Sequence, residues 1–461
     1  MASTHQKALE INLEKSWYGT FAEIGAGQET ARWFFRVGGA AGTVAEAVSA
    51  YDKAVSDARY GATPRFVTRE RLQAMLEQEY AKLLEKLGPA RGKDTCFFVF
   101  ANTVAQRSWS RHDDGHGWLG VRFQTAPGAE PSDVVIHAYC HDRETVREQE
   151  ALGVLGVNLL YGALRHHAEP ARIVHELLDG LSRDRAEVDV IDFRGPAFAG
   201  VDNRLMALQL VEQGRTDAAL FNAAGEVVQP ADVLYKKPVV VERGQFRPIT
   251  RLTLDILERG IEGLKALPEV AGEEPLVILE MTLRDLTVEQ QIDHADFLSR
   301  ADALGALGHH VLISRFGPYY ALSQYLRRCT TRPIGLAMGV PTLGKIADER
   351  FYQDLRGGLL ESAGRLFTSQ VHAFVYPRRD PKTGALETLT DLTLPGPGHH
   401  LRAFLLATGQ LVAVEPSDPA LLAINQDAVC EWIGAGDARW EAQVPPAAAD
   451  VIRSRGLFCK S

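Results

Sequence analysis

The chain has few cysteines and no C-x-x-C pair: Cys96, Cys140, Cys329, Cys430 and Cys459 are odd in number and scattered over 461 residues. That excludes a disulfide framework and a cysteine-based structural zinc site, and predicts reduced thiols packed as small hydrophobes. No apolar run approaches the roughly 18 residues of a membrane span, and Met1–Lys7 leads into no apolar signal segment. The expectation is a cytoplasmic protein with no membrane partner. A basic excess is missing as well. The net charge of −9 argues against a nucleic-acid partner, which selects a positive face. Internal repeats and low-complexity tracts are absent.

What is present is an ordinary globular composition, 46% hydrophobic and 24% charged, over a length that calls for two or three cores of about 100–200 residues each. Apolar residues at helical spacing fill Glu29–Val37, Val44–Ala58 and Thr68–Leu87, the last with Thr68 as N-cap. Short β-rich runs follow at Cys96–Val104, Trp118–Phe123 and Val134–Tyr139. After Arg143, helices alternate with apolar strands at Val188–Phe193, Ala218–Phe221, Pro238–Glu242, Leu276–Glu280, His310–Ser314, Ile334–Met338 and Val371–Tyr376. The fold class is therefore α/β: a largely parallel sheet with crossover helices, open or barrel-like, preceded by a helical N-terminal region and a small β-rich segment. The expected divisions are residues 1–142, 143–380 and a linker with a partly helical segment over 381–461.

Several clusters carry chemistry. Gly25-Ala26-Gly27 opens like a dinucleotide fingerprint, but the third glycine position is Thr30 and Thr20–Ile24 is short and polar for a buried strand. Gly38, Gly39, Gly42 and Thr43 precede a predicted helix from Val44, whose N-terminal N–H groups would suit a phosphate or carboxylate; a tight turn with Thr43 as N-cap is the alternative. His112-Asp113-Asp114-Gly115-His116 and His137 to His141-Asp142 lie on neighbouring predicted strands. If a hairpin joins them, His116, His137, His141 and Asp142 could hold a divalent metal, or His137 and His141 supply a general base. Lys236, Lys237, Arg243, Arg247 and Arg251 put five cations within sixteen residues of an acidic chain. Such a reversal of charge suits a bound anion, or a rim paired with Asp232 and Glu242. Gly357-Gly358 marks a further helix start.

In a parallel α/β fold the carboxyl ends of strands line the ligand crevice. Asn102, His141, Asp192, Asn222, Glu280, Ser314 and Arg315 each follow a predicted strand and should converge there, with Glu280 at the floor as base or metal ligand beside one of the cations.

Phe21–Glu29, Asp202–Met206, Leu234–Lys237 and Gly335–Val340 resemble an uncharacterised bacterial family sometimes labelled nicotinate-nucleotide adenylyltransferase. That resemblance implies an H-x-G-H pair after a first strand, and neither His112–His116 nor Gly308-His309-His310 has that spacing. The reading is an enzyme acting on a small anionic, phosphorylated or nucleotide-like metabolite by group transfer or hydrolysis. Its catalytic residues would be Glu280, His137 and His141, with the glycine turn, Lys236, Lys237, Arg243, Arg247, Ser314 and Arg315 binding substrate. The alternative is a non-catalytic metabolite-binding or homo-oligomeric protein.

Overall fold

The computed structural model describes residues 2–107, 114–288, 290–380, 382–394 and 398–458, and the chain divides into two compact units, 1–217 and 218–461.

The first unit is built on six strands: β1 (Trp17–Gly25), β2 (Val44–Ala50), β3 (Cys96–Ala105), β4 (Gly115–Phe123), β5 (Ser132–Cys140) and β6 (Ala186–Arg194). Their order is β2-β1-β3-β4-β5-β6. β1 runs parallel to both neighbours, and β3 to β6 form an antiparallel meander. Seven helices flank it: α1 (Thr4–Leu13), α2 (Thr30–Arg36), α3 (Lys53–Tyr60), α4 (Arg69–Arg91), α5 (Thr145–His166), α6 (Pro170–Glu176) and α7 (Asn203–Glu212). Period-two alternation divides the strand residues between two faces. Leu119, Val121, Val134 and Ile136 join Ile11, Phe34, Leu155 and Leu159 of the helices in one core, while Leu72 and Leu76 of α4 cover Gly120 on the other side. The expected division at 142/143 falls inside this sheet, because β6 pairs with β5 and completes the meander that β3 begins.

Three local expectations are corrected here. Thr20–Ile24 lies in a buried strand, β1, despite its polarity: Glu23 Oε1 and Oε2 accept the Thr30 and Ala31 N–H groups at 3.0 and 3.1 Å, and Asn102 Nδ2 donates to Oε1 at 3.1 Å. The carboxyl so capped tolerates burial, which lifts its pKa to about 7. Val44–Ala50 is the edge strand β2 and not a helix. Gly38, Gly39, Gly42 and Thr43 therefore lead into a strand, with a single 3-10 turn at Ala40–Gly42 in place of the expected helix from Val44. Gly38 and Gly39 take φ of 85° and 77°, a turn open to glycine, and Asn12 Nδ2 clamps it by donating to Phe34 O and Gly38 O at 2.8 and 2.7 Å. The anion cradle expected there is a tied turn.

The second unit carries the largely parallel sheet. Its strands are β7 (Ala218–Phe221), β8 (Val227–Val228), β9 (Val239–Arg243), β10 (Leu276–Thr282), β11 (His310–Ser314), β12 (Ile334–Gly339), β13 (Val371–Tyr376) and β14 (Leu411–Ala413). The order β14-β13-β12-β9-β10-β11-β7-β8 makes an open sheet, not a barrel. The six strands from β14 to β11 are parallel, and β7 and β8 add an antiparallel edge. Crossover helices α8 (Arg251–Lys265), α9 (His294–Gly305), α10 (Tyr319–Cys329), α11 (Val340–Ile346), α12 (Gly358–Leu366) and α13 (Gly398–Ala407) link the parallel strands. From β9 the chain builds outward through β10 and β11, then returns to place β12, β13 and β14 on the other side. The strand order reverses between β9 and β12, which is where doubly wound sheets open a ligand crevice at their carboxyl edge. α8 lies close over this point: a Cβ at Gly260 would stand 2.7 Å from Ala337 Cβ.

Candidate functional site

A cavity of about 330 Å³ opens at the carboxyl edge where β9 and β12 diverge. Glu242 at the end of β9, Leu252, Thr253 and Ile256 on α8, and Ala337 and Gly339 of β12 form its inner wall; Arg243, Gln245, Arg378, Arg379 and Gln426 also line it. Glu242 faces Ala337 across the strand pair. It is 5% exposed, and its Oε2 is buried without a hydrogen-bond partner. Burial alone raises its pKa well above the ordinary 4.5, which favours the protonated acid, the form able to donate a hydrogen bond. Arg378 pairs with Glu387 at 2.5 Å. Arg379 is exposed and donates to Gly384 O at 3.0 Å.

In the sequence Glu242 stands out only as a partner for the cations of a surface rim. Its burial follows from its place in an inner strand of the sheet, and a carboxylate as the last but one residue of an apolar β-run was the available signal.

Glu280, the expected floor residue, is elsewhere and fully satisfied. Arg243 Nε and Nη2 donate to its Oε2 and Oε1 at 2.8 and 2.9 Å, and Ser314 Oγ donates to Oε1 at 2.6 Å. Arg243 also donates to Gly317 O at 2.8 Å and lies 4.4 Å from the Tyr319 ring centroid. The predicted convergence of Glu280, Arg243 and Ser314 is thus present, but it forms a closed ion pair, with Glu280 0% exposed and not among the residues lining the cavity. A carboxylate holding three donors has little capacity left to act as base or metal ligand.

The cations do not act together. Lys236 and Lys237 are exposed before the first residue of β9, at the opposite end of the strand from Arg243. Arg247 Nε pairs with Asp296 at 2.7 Å, and Asp296 also holds Arg300, whose Nη1 donates to Gln245 O at 2.9 Å. Arg247 therefore braces the loop beside the cavity. Arg315 is exposed after β11. Asn222 closes the β7–β8 turn by accepting from Ala224 and Glu226 N–H. Because β7 is antiparallel to β11, its carboxyl end lies away from that of β11. Asp192 belongs to the first unit, where it binds Arg69 and Asn203. Gly357 N–H donates to Glu361 Oε2 at 2.8 Å, so that helix start supplies its own anion.

The expected hairpin exists, with Trp118 opposite His137 and His116 opposite Tyr139, and His116 Nδ1 meets His137 Nε2 at 3.2 Å. The metal set does not assemble. His141 Nδ1 pairs with Asp114 at 3.0 Å and Nε2 with Glu187 at 3.5 Å, and Asp142 is held by Arg185 at 2.7 Å. Among the described residues no group of three or more His, Cys, Asp or Glu side chains is arranged for a metal ion. His112, Asp113 and Cys459 lie outside the described residues.

The hydrogen bonds that His141 donates to the Asp114 and Glu187 carboxylates raise it to about 9. An imidazolium favoured by folding stabilises fully below the unfolded value of 6.5 and ceases to do so as pH passes about 9. The stability advantage of the wild type over His141→Gln should vanish across that window; a pH-independent difference in urea unfolding would contradict it.

No known family model matches the chain, and no curated protein does. Solved structures give faint likenesses only. The competence/damage-inducible protein CihA from Agrobacterium tumefaciens is 15% identical, with 36% of this chain and 98% of that one covered and a TM-score of 0.26. A competence or damage-inducible protein from Enterobacter asburiae is 11% identical, with 36% and 99% covered at 0.25. A Plasmodium falciparum nicotinic acid mononucleotide adenylyltransferase complexed with APC is 11% identical, with 48% and 97% covered at 0.29. With TM-scores this low they assign neither family nor activity. The H-x-G-H pair implied by the sequence resemblance has no counterpart where the parallel strands begin: Gly244 to Thr253, which joins β9 to α8, contains no histidine. No described helix is long and apolar enough to cross a membrane.

Proposed function

We propose that the chain is an enzyme of small-molecule metabolism whose second unit binds a phosphorylated or nucleotide-like anion in the crevice between β9 and β12 and acts by group transfer or hydrolysis. The observation that carries this reading is Glu242. A carboxyl buried without a partner costs about 1–3 kcal/mol, and here it lines a cavity at the switch point of the sheet. As a neutral acid it donates a hydrogen bond to a ligand oxygen or ring nitrogen, and it can deliver that proton to a leaving group as bonds break. The guanidinium groups of Arg378 and Arg379 suit the anionic end.

The test is a thermal-shift screen of AMP, ATP, ribose 5-phosphate and inorganic phosphate against the wild type and Arg378→Ala/Arg379→Ala. A ligand at 100 times its Kd stabilises by about 2.7 kcal/mol; the double variant should lose most of that gain while keeping its unliganded melting temperature. If no phosphorylated compound shifts the wild type, the proposal fails. A shift without turnover of any compound would instead favour the non-catalytic reading.

A further inference from the structure

The first unit holds a hydrogen-bonded chain of three titratable side chains that the crevice does not involve. Asp189 of β6 is 3% exposed and His137 of β5 fully buried; Asp189 Oδ1 and His137 Nδ1 are 2.5 Å apart, and His137 Nε2 and His116 Nδ1 are 3.2 Å apart. His116, on β4, is only partly buried, and its Nε2 has no hydrogen bond among the described residues. Trp118, 5.0 Å from the His137 ring by centroids, has a buried Nε1 without a partner. Arg69 lies over the Trp118 ring, and Arg65 is near enough to His116 to disfavour its charged form.

We propose that Asp189, His137 and His116 form a proton-transfer site, separate from the crevice, in which His116 Nε2 abstracts a proton from a small anionic substrate and Asp189 receives it through His137. The resting arrangement follows from donor and acceptor capacity. A carboxylate only accepts, so His137 carries its proton on Nδ1; its Nε2 then accepts the His116 Nδ1–H, and the His116 Nε2 lone pair is left free. On abstraction, a bond forms between the proton and His116 Nε2 while the substrate keeps the electron pair. The Nδ1 proton of His116 passes to His137 Nε2, and that of His137 Nδ1 passes to Asp189. Each imidazole ends neutral, so no buried imidazolium has to persist, which matters where desolvation penalises charge.

The environment fits that direction of flow. Burial first, then His137 and Arg65, lowers His116 to about 4, too weak a base to hold the proton by itself at neutral pH. Burial raises Asp189, Glu187 adds to this, and the His137 contact opposes it. A carboxyl so placed suits the terminal acceptor. Trp118 Nε1–H, buried without a partner, and the positive charge of Arg65 supply the complement to an anion on this face, while Arg69 is held by Asp192.

The test reads protons directly. In full-length protein labelled with 15N-histidine, with signals assigned through His116→Gln and His137→Gln, NMR should find both rings protonated on Nδ1. Diethylpyrocarbonate, whose attachment at Nε2 requires loss of the Nδ1 proton, should label His116 by mass spectrometry. Asp189→Asn keeps an acceptor for His137 Nδ1–H but takes up no proton, so labelling at His116 should slow by at least about tenfold, the equivalent of one pKa unit. A His116 proton on Nε2 in the wild type overturns the proposal, as do equal labelling rates in a folded Asp189→Asn protein. Should that variant fail to fold, the wild-type tautomers alone decide.

Discussion

Glu280→Ala is expected to destabilise the second unit by about 3–5 kcal/mol, the loss typical of removing one partner from a buried ion pair. The carboxylate is 0% exposed and receives Arg243 Nε, Arg243 Nη2 and Ser314 Oγ, while the Arg243 side chain is only 10% exposed. Without Glu280 the guanidinium keeps its charge in a site with little water, left with Gly317 O, the Tyr319 ring and the more distant charge of Asp285. Much of the loss is that stranded charge rather than the intrinsic strength of the pair, so Glu280→Met combined with Arg243→Leu should be less destabilised than Glu280→Ala alone. Hydrogen exchange of peptides covering β9 and β10 across a urea series separates this unit from the other. A change below about 1 kcal/mol for Glu280→Ala, the range of exposed pairs, would contradict the buried-pair reading.

Glu242→Met should do the opposite, raising stability by about 1–3 kcal/mol while abolishing any gain from ligand. A buried polar group without a partner costs about that much, and a thioether of similar length fills the same space against Ala337 and Ile256. Proteins retain such a cost where a ligand needs the group. The pH dependence has a definite sign. The folded-state pKa lies above the unfolded value of 4.5, so the neutral acid costs nothing extra in titration below 4.5. As pH rises beyond it, the unfolded chain releases a proton that the folded chain retains, and the wild type loses stability relative to Glu242→Gln until the folded value is passed. Chemical unfolding of the wild type, Glu242→Gln and Glu242→Met from pH 4 to 8, with and without the best ligand of the thermal screen, tests both effects. A destabilised Glu242→Met protein that still binds ligand fully would remove Glu242 from the site.

Local pattern determined most of the secondary structure. Apolar runs such as Leu276–Leu279 and Val371–Tyr376 need both faces covered and read as strands from composition alone; their observed bounds differ from expectation by at most a few residues. Thr68 as N-cap was legible for the same reason, since its side chain accepts from Arg71 N–H three residues away. The pairing of Glu280 with a nearby cation followed from the cost of burying a carboxylate alone.

What the tertiary structure decided is where the exceptions fall. β1 carries Thr20 and Glu23 in a buried strand because the α2 N–H groups and Asn102, which is 79 residues distant from Glu23, satisfy the carboxyl; no local pattern contains that partner. Val44–Ala50 has apolar spacing compatible with helix or strand, and pairing with β1 selects the strand. Glu280 and Glu242 look alike in sequence, each a carboxylate at the end of an apolar run. Arg243 stands beside Glu280 in register, whereas Ala337 stands beside Glu242. That both carboxyls are buried follows from the inner strands they occupy, and strand register, a long-range property, decides which one is ion-paired and which keeps an oxygen without a partner.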